Sequence, residues 1–123
     1  PIVGPCSRCT SATRSAGACW TSRQRTRSWQ AEYWISAARD QVITLACLRL
    51  GHPTAHARGA HLLPAEVVGP LEGALPRSLE AVELQRALVV VVGALRAELE
   101  RRDRALADRL APTLDAIATR SAA

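Results

Sequence analysis

The chain has 123 residues, which is enough for one domain with a modest hydrophobic core. Its net charge of +5 comes from residues 1–30, which contain five arginines and no acid, whereas residues 31–123 contain eleven arginines and eleven acids. The balanced remainder argues against a nucleic-acid platform, and the longest apolar run, residues 87–95, is far shorter than the roughly 20 residues of a membrane span. Because no charged-then-apolar signal peptide opens the sequence, we expect a cytoplasmic protein with reduced cysteines, no membrane partner and no nucleic-acid partner.

Residues 1–30 are expected to be a disordered or non-native N-terminal segment. They are rich in Ser, Thr, Arg and Gly, and their few large apolar side chains follow neither a helical nor a strand period. Cys6 and Cys9 form a Cys-x-x-Cys pair that Cys19 follows, but the second pair of a zinc site is absent, so we expect no metal site. The abrupt change of composition near Gln30 leads to the hypothesis that the natural reading frame is lost in this segment.

Residues 31–123 are expected to form a helical C-terminal domain. The first predicted helix covers residues 31–50, where Gly51 suits a C-terminal cap and Pro53 prevents continuation. Its predicted apolar stripe consists of Trp34, Ile35, Ala38, Val42, Leu45 and Leu48.

The chain beyond the first helix alternates short and long elements. A connection over residues 52–63 leads to a short helix over residues 65–68, after which Pro70 opens a turn that extends to Leu75. A long helix is predicted for residues 81–110, and Pro112 should end it before a last short helix over residues 113–119. The predicted stripe of the long helix consists of Leu84, Leu88, Val91, Leu95, Leu99, Leu106 and Leu110.

These elements predict an all-α fold, a small helical bundle with two long amphipathic helices and short connecting helices. The first helix and the long helix are the expected pair. With so few helices the core is thin, so we expect that a further helix is missing or is supplied by a partner. On the surface of the long helix, we expect the ion pairs Glu98–Arg102 and Glu100–Arg104, which are spaced by four residues.

Two groups of polar residues are candidates for chemistry in the first half of the domain. His52, His56 and His61 fall in the connection, where we interpret them as ordinary exposed histidines rather than metal ligands. Arg49 and His56 form an Arg-x6-His pair similar to the ribonuclease motif of HEPN-type helical domains, but a glycine and a proline interrupt the helix between them.

A third group lies on the polar face of the first helix. Tyr33, Arg39 and Asp40 are candidate substrate-binding residues, since the arginine suits a phosphate or carboxylate and the acid suits a cation. The alternative is a solvated helix face with local ion pairs. The sequence offers no Gly-rich phosphate loop, no Gly-x-Ser-x-Gly and no Asp-x-Asp, so we predict no catalytic residue in this chain.

Several runs of the sequence are similar to the C-terminal region of actinobacterial nucleotidyltransferases, which belong to the DNA polymerase-β superfamily together with antibiotic-modifying adenylyltransferases. The resemblance covers about residues 29–118. The runs that carry it are Trp-Gln-Ala-Glu-Tyr-Trp-Ile-Ser-Ala-Ala-Arg-Asp-Gln from Trp29, Ala-Cys-Leu-Arg-Leu-Gly-His-Pro-Thr from Ala46, His-Ala-Arg-Gly from His56, Leu-Pro-Ala-Glu-Val from Leu63, Pro-Leu-Glu-Gly-Ala-Leu from Pro70 and Arg-Ser-Leu-Glu from Arg77.

The resemblance implies a catalytic α/β domain that carries Gly-Ser and Asp-x-Asp, binds Mg²⁺ and a nucleoside triphosphate, and is not part of this chain. The helical domain would then be an accessory domain for acceptor binding or dimerisation, with no cofactor of its own. Its expected partner is a nucleotidyltransferase catalytic domain, in cis or in trans, and a homodimer is a further expectation. The alternative is a helical interaction module of a toxin–antitoxin-like nucleotidyltransferase/HEPN pair.

Overall fold

The computed structural model describes residues 12–120, with side chains from residue 27 onward. Within that part of the chain the secondary structure is helical throughout, which confirms the predicted all-α bundle. Four α-helices and two short 3₁₀ turns follow one another in this order: α1 (Ala12–Leu50), 3₁₀ turns (Ala55–Ala57 and Ala60–Leu62), α2 (Ala65–Gly73), α3 (Ala81–Arg102) and α4 (Arg104–Arg120). None of the helices in the described residues is both long enough and apolar enough to cross a membrane.

Helix α1 begins at Ala12, well before the predicted start at residue 31. No proline interrupts the chain between Pro5 and Pro53, so nothing in the intervening sequence prevents helical backbone from extending toward the N-terminus. The backbone of residues 12–30 is helical, and residues 1–11, which include Cys6 and Cys9, lie outside the described residues. That residues 1–30 are a disordered or non-native segment stays a prediction.

The C-terminus of α1 confirms the cap that the sequence predicts. Gly51 has a φ of +77°, a backbone conformation that residues other than glycine rarely adopt. The amide of His52 then donates to the carbonyl oxygen of Cys47 at 2.8 Å, the six-to-one hydrogen bond of a Schellman motif. The helix thus ends where the connection must turn back over it.

Helices α1 and α3 are the expected pair, and they run parallel to each other. Ile35 packs in one cluster with Leu84 and Ala87 near the start of α3, whereas Arg49 at the end of α1 bonds to Glu98 near the end of α3. The buried face of α1 is narrower than predicted, because Trp34 and Leu48 are exposed while the following residues are buried: Ile35, Val42, Ala46 and Cys47.

The connection and α2 cross from the end of α1 back to the start of α3. Gly59 is buried against this end of α1, where an added Cβ would lie 2.6 Å from the carbonyl oxygen of Pro53 and 3.0 Å from Sγ of Cys47. Helix α2 continues through Pro70 to Gly73 instead of stopping at residue 68. The proline is exposed, so water can satisfy the carbonyl that it leaves without a donor, while Val67 and Leu71 keep the helix packed on the core.

The predicted long helix is in fact two helices, because the backbone breaks at Asp103. This residue adopts an extended conformation (φ −155°, ψ 99°), and its carboxylate accepts a hydrogen bond from the amide of Leu106 at 3.1 Å. It therefore ends α3 and caps α4. Pro112 does not end a helix but lies inside α4, on its exposed side, and the predicted separate helix over residues 113–119 is the second half of α4.

Helix α4 returns along α3 in the antiparallel direction. Gln85 in the first half of α3 donates to the carbonyl oxygen of Ala118 at 3.0 Å, and Arg96 lies 3.1 Å from the carboxylate of Asp115. Helix α3 is therefore the central element, with α1 and α2 packed on it together and α4 packed along it separately.

Candidate functional site

Glu98 is a fully buried carboxylate, and Arg49 is its main partner. The guanidinium donates from Nε to Oε1 at 2.6 Å and from Nη2 to Oε2 at 3.2 Å, so the two side chains form a bidentate pair. The side chain of Arg49 is 24% exposed and that of Glu98 is 1% exposed. The hydrogen bond with Glu98 is the main cause that raises the pKa of Arg49, with smaller contributions from the charges of Glu98 and Glu66 that oppose the effect of burial.

Arg101 is the second arginine on the same carboxylate. Its Nη1 lies 3.4 Å from Oε2 of Glu98, which is long for a hydrogen bond, and its side chain is 35% exposed. A guanidinium has five N–H donors, and this long contact engages one nitrogen. Arg101 is thus held near the buried acid while it still presents donors toward solvent.

A cleft of about 300 Å³ lies beside this Arg49–Glu98–Arg101 cluster, between α2 and α3. Its walls are mostly apolar and two of its lining residues, Glu66 and Arg101, are charged and exposed. Gly93 contributes to the lining, and a Cβ added there would meet no atom within 4 Å. The remaining lining residues are Val42, Val67, Pro70, Val90, Ala94, Ala97 and Glu98.

The cleft shares its volume and its mostly apolar lining with small-molecule sites. Ligand pockets typically have volumes of roughly 300–1,000 Å³, with apolar walls and a few polar groups that fix orientation. The cleft lies at the low end of that range, and its lining includes an acid on α2 and an arginine on α3.

The residues that the sequence suggested for substrate binding do not line this cleft. Tyr33 is exposed and its ring contacts Trp34 edge-to-face at 5.2 Å between centroids. Asp40 is exposed, and its backbone carbonyl accepts from Thr44 at 2.9 Å. Their role in substrate binding stays a prediction.

Arg39 differs from these two neighbours because it is half-buried. Its Nη2 donates to Oγ of Ser36 at 3.0 Å, while its Nη1 is buried and has no hydrogen-bond partner among the described residues. Arg39 therefore does not lie on a fully solvated face, which was the alternative considered for this group.

Of the histidines of the connection, His56 and His61 lie in the two 3₁₀ turns, whereas His52 lies between the end of α1 and the first turn. His56 is exposed and has a positive φ of 54°, as does the following Ala57 at 57°. Because α1 ends at Leu50 and His56 lies in the first 3₁₀ turn, Arg49 and His56 do not share a continuous helix. Arg49 instead binds Glu98. Among the residues that the structure describes, no group of three or more His, Cys, Asp or Glu side chains is placed to hold a metal ion.

Sequence reasoning missed Glu98, which we had expected on the surface. The predicted pairs Glu98–Arg102 and Glu100–Arg104 are wrong, because Glu98 binds Arg49 and Arg101, while Glu100 lies 3.6 Å from Arg96. One signal was present: Glu98 follows Leu84 and Val91 at intervals of seven, so it shares their buried face. An acid in that register needs a basic partner from another helix.

Comparisons with known proteins add no relative to this description. No family model, no curated protein and no solved structure matches the chain.

Proposed function

We propose that this chain is the helical accessory domain of a nucleotidyltransferase that transfers a nucleotidyl group from a nucleoside triphosphate to a hydroxyl acceptor. In this proposal the acceptor binds in the cleft between α2 and α3. The observation that carries it is the cleft itself, about 300 Å³ in volume and adjacent to the buried Arg49–Glu98–Arg101 cluster.

The chemistry of the cleft supports binding rather than group transfer. Apolar walls contact the body of a small molecule, while Glu66 and Arg101 offer one charge of each sign to its polar groups. The bidentate bond from Arg49 holds Glu98 in place, so the neighbouring Arg101 is positioned by a rigid group. Mg²⁺ and the nucleoside triphosphate belong to the separate catalytic domain, which works with this chain in the cytoplasm.

The test is a substitution that fills the cleft and leaves the buried core residues unchanged. Leucine at Gly93 should block the cleft, whereas leucine at Gly69 places the same side chain on α2 outside the residues that line it. Both glycines lie in helices and a Cβ at either position has free space, so both variants should fold. Each is mixed with a catalytic domain of the resembled family, Mg²⁺, ATP and a series of hydroxylated antibiotics, and nucleotidyl transfer is followed by mass spectrometry.

We expect Gly93→Leu to raise the KM for the acceptor at least about tenfold, equivalent to about 1.4 kcal/mol of binding free energy. The KM for ATP should stay unchanged, and Gly69→Leu should behave as the unaltered chain. Equal acceptor KM values for Gly93→Leu and Gly69→Leu would contradict the assignment of the cleft. Transfer that is independent of the chain would contradict the accessory role.

A second candidate is the interaction module that acts on a separate nucleotidyltransferase chain. The exposed rings of Trp29 and Tyr33, each 63% exposed and four residues apart on α1, favour it, because aromatic side chains are enriched in protein interfaces. Serine at both positions should weaken binding to the α/β partner in calorimetry, and Val82→Ser, at an 83% exposed position on α3, is the control. Unaltered affinity of the double serine variant would remove this candidate.

A further inference from the structure

Helix α1 carries a second stripe beside its buried face. Its members repeat at alternating intervals of three and four residues, the spacing of a helix that packs against another helix. Trp34 is 63% exposed and Leu48 is 53% exposed, while Ala38 and Leu45 are half-buried. The uncharged stripe consists of Ala31, Trp34, Ala38, Gln41, Leu45 and Leu48.

The charges of α1 are arranged away from this uncharged stripe. At 100° per residue, Glu32, Arg39 and Asp40 lie about 130° or more around the helix from its centre line. Arg27 limits the stripe at one end, and Arg49, which binds Glu98, limits it at the other. A surface with no charge of its own is complementary to another uncharged surface, since a charged partner would lose hydration without gaining a counterion.

The order of side chains in the stripe makes it complementary to itself. If a second copy of the helix runs antiparallel, Ala31 faces Leu48 of the second copy, Trp34 faces its Leu45, and Ala38 faces its Gln41. Two of the three layers set a small side chain against a larger one, and each layer occurs twice because the arrangement has a two-fold axis. The intervals correspond to alternating d and a positions, which pair in this way in antiparallel coiled coils.

We infer that the uncharged stripe of α1 docks against the same stripe of a second copy of this chain in an antiparallel, two-fold arrangement. The stripe covers 18 residues, or about 27 Å of helix. A single helix pair of that length buries less than the roughly 1,200 Å² of a stable interface, so the dimer should be weak and depend on concentration. This inference is independent of the cleft, because no member of the uncharged stripe lines it.

The experiment introduces a charge of either sign at Gln41, which is exposed in the single chain and lies near the two-fold axis of the dimer. Gln41→Glu and Gln41→Lys are purified separately in reducing buffer, and their helix content is checked by circular dichroism. Sedimentation equilibrium of the full chain then measures association from micromolar to millimolar concentrations. The matched controls are Thr113→Glu and Thr113→Lys, at an exposed position on α4 outside the stripe.

We expect the unaltered chain to dimerise and each Gln41 variant alone to dissociate at least about tenfold more readily, equivalent to about 1.4 kcal/mol. An equimolar mixture of the two Gln41 variants should dimerise at least as well as the unaltered chain, because the opposite charges introduced at this position then attract across the axis, and the Thr113 variants should show no such pattern. A chain that stays monomeric throughout the concentration range overturns the inference. So does a dimer whose dissociation constant neither Gln41 variant changes, or one that the mixture does not restore; each would leave the stripe for another partner.

Discussion

Glu98 loses its hydration completely on folding, which is costly for a charged carboxylate unless hydrogen bonds replace the lost water. Arg49 supplies two of these bonds and Arg101 a longer third one. The pair is therefore a strong constraint on how α1 and α3 align, because sliding one helix by a turn would leave both charges without partners. Its net contribution to stability is smaller than its geometry suggests, since desolvation offsets much of the attraction.

Removing Arg49 should lower the free energy of unfolding much more than removing Arg101. Arg49→Ala leaves the buried carboxylate without its bidentate partner and should lower the free energy of unfolding by about 3–5 kcal/mol. Arg101→Ala removes one long, partly exposed contact and should lower it by less than about 1 kcal/mol. Urea denaturation followed by circular dichroism measures both values, and similar losses for the two variants would contradict the unequal roles described here.

At the scale of elements, the joint between α2 and α3 depends on one arginine. Arg86 on α3 donates to the carbonyl oxygens of Gly73, the last residue of α2, and of Leu75 in the following turn, and its Nε donates to Glu83 at 2.9 Å. The carboxylate of Glu83 also accepts from the amide of Arg77 at 3.2 Å. We call these contacts the Arg86–Glu83 clasp, because they tie the turn between the two helices to the first turns of α3.

The Arg86–Glu83 clasp should weaken in acid. The hydrogen bond from Arg86, followed by that from the amide of Arg77, lowers the pKa of Glu83. A carboxylate whose pKa is lower in the folded state stabilises the fold above its unfolded pKa of about 4.3, and that stabilisation is lost as the pH falls through the folded pKa. Glu83→Gln should therefore lower the Tm at pH 7, and the difference from the unaltered chain should shrink as the pH falls below about 4.3 and through the folded pKa.

The control for this pH dependence is Glu83→Gln in a chain from which its partner Arg86 has been removed. In an Arg86→Gln background, Glu83→Gln should change the Tm at pH 7 much less than it does alone, because the two residues act together. Calorimetric scans at a series of pH values from 7 downward measure the Tm of the four chains. A Tm difference that does not shrink as the pH falls, or one that Arg86→Gln leaves unchanged at pH 7, would show that Glu83 acts through something other than the clasp.

The boundaries of the elements show which signals in the sequence are local. Gly51 and the start of α3 were predictable, since a glycine cap and the onset of a helical period each involve a few neighbouring residues. The break at Asp103 was not expected because apolar residues continue the period on both sides of it. Pro70 and Pro112 lie within helices because both are exposed and packing of neighbouring apolar residues outweighs one lost hydrogen bond.

At the scale of the whole molecule, the sequence predicted which long helices pair but not how they align along one another. The partner of Glu98 is 49 residues away, and only the parallel alignment of α1 with α3 brings it to Arg49. The cleft likewise depends on how α2 crosses α3. The all-α fold and the pairing of the two long helices follow from periodicity, whereas the candidate site depends on distances that periodicity does not contain.

Cys47 offers a measure of how the whole bundle opens. Its thiol is fully buried against Gly59 and the end of α1, and burial also raises its pKa. In a chain with serine at positions 6, 9 and 19, Cys47 should react with a disulfide reagent at least about a thousandfold more slowly in buffer than in urea, since a stability of about 5 kcal/mol keeps open molecules rare.

The adjacent position provides the control for this labelling. Leu48 is 53% exposed, so Leu48→Cys, with serine at all four natural cysteines, should react in buffer almost as fast as in urea. The comparison is made at low micromolar protein concentration. A Cys47 that reacts as fast as this control would mean that the junction of α1 with the connection opens without unfolding of the bundle.

Because α1 and α3 run in the same direction, their C-termini meet at one end of the bundle. Each helix C-terminus carries roughly half a negative charge from its unpaired carbonyl groups, and Glu98 adds a full one. Arg49 occupies the last turn of α1, and Arg101 and Arg102 occupy the last turn of α3, so cations oppose the two converging dipoles. Lysine at position 49 would preserve the charge, but only the planar guanidinium of arginine can bridge both carboxylate oxygens of Glu98. The alignment of the two helices at this end therefore requires arginine and not merely a positive charge.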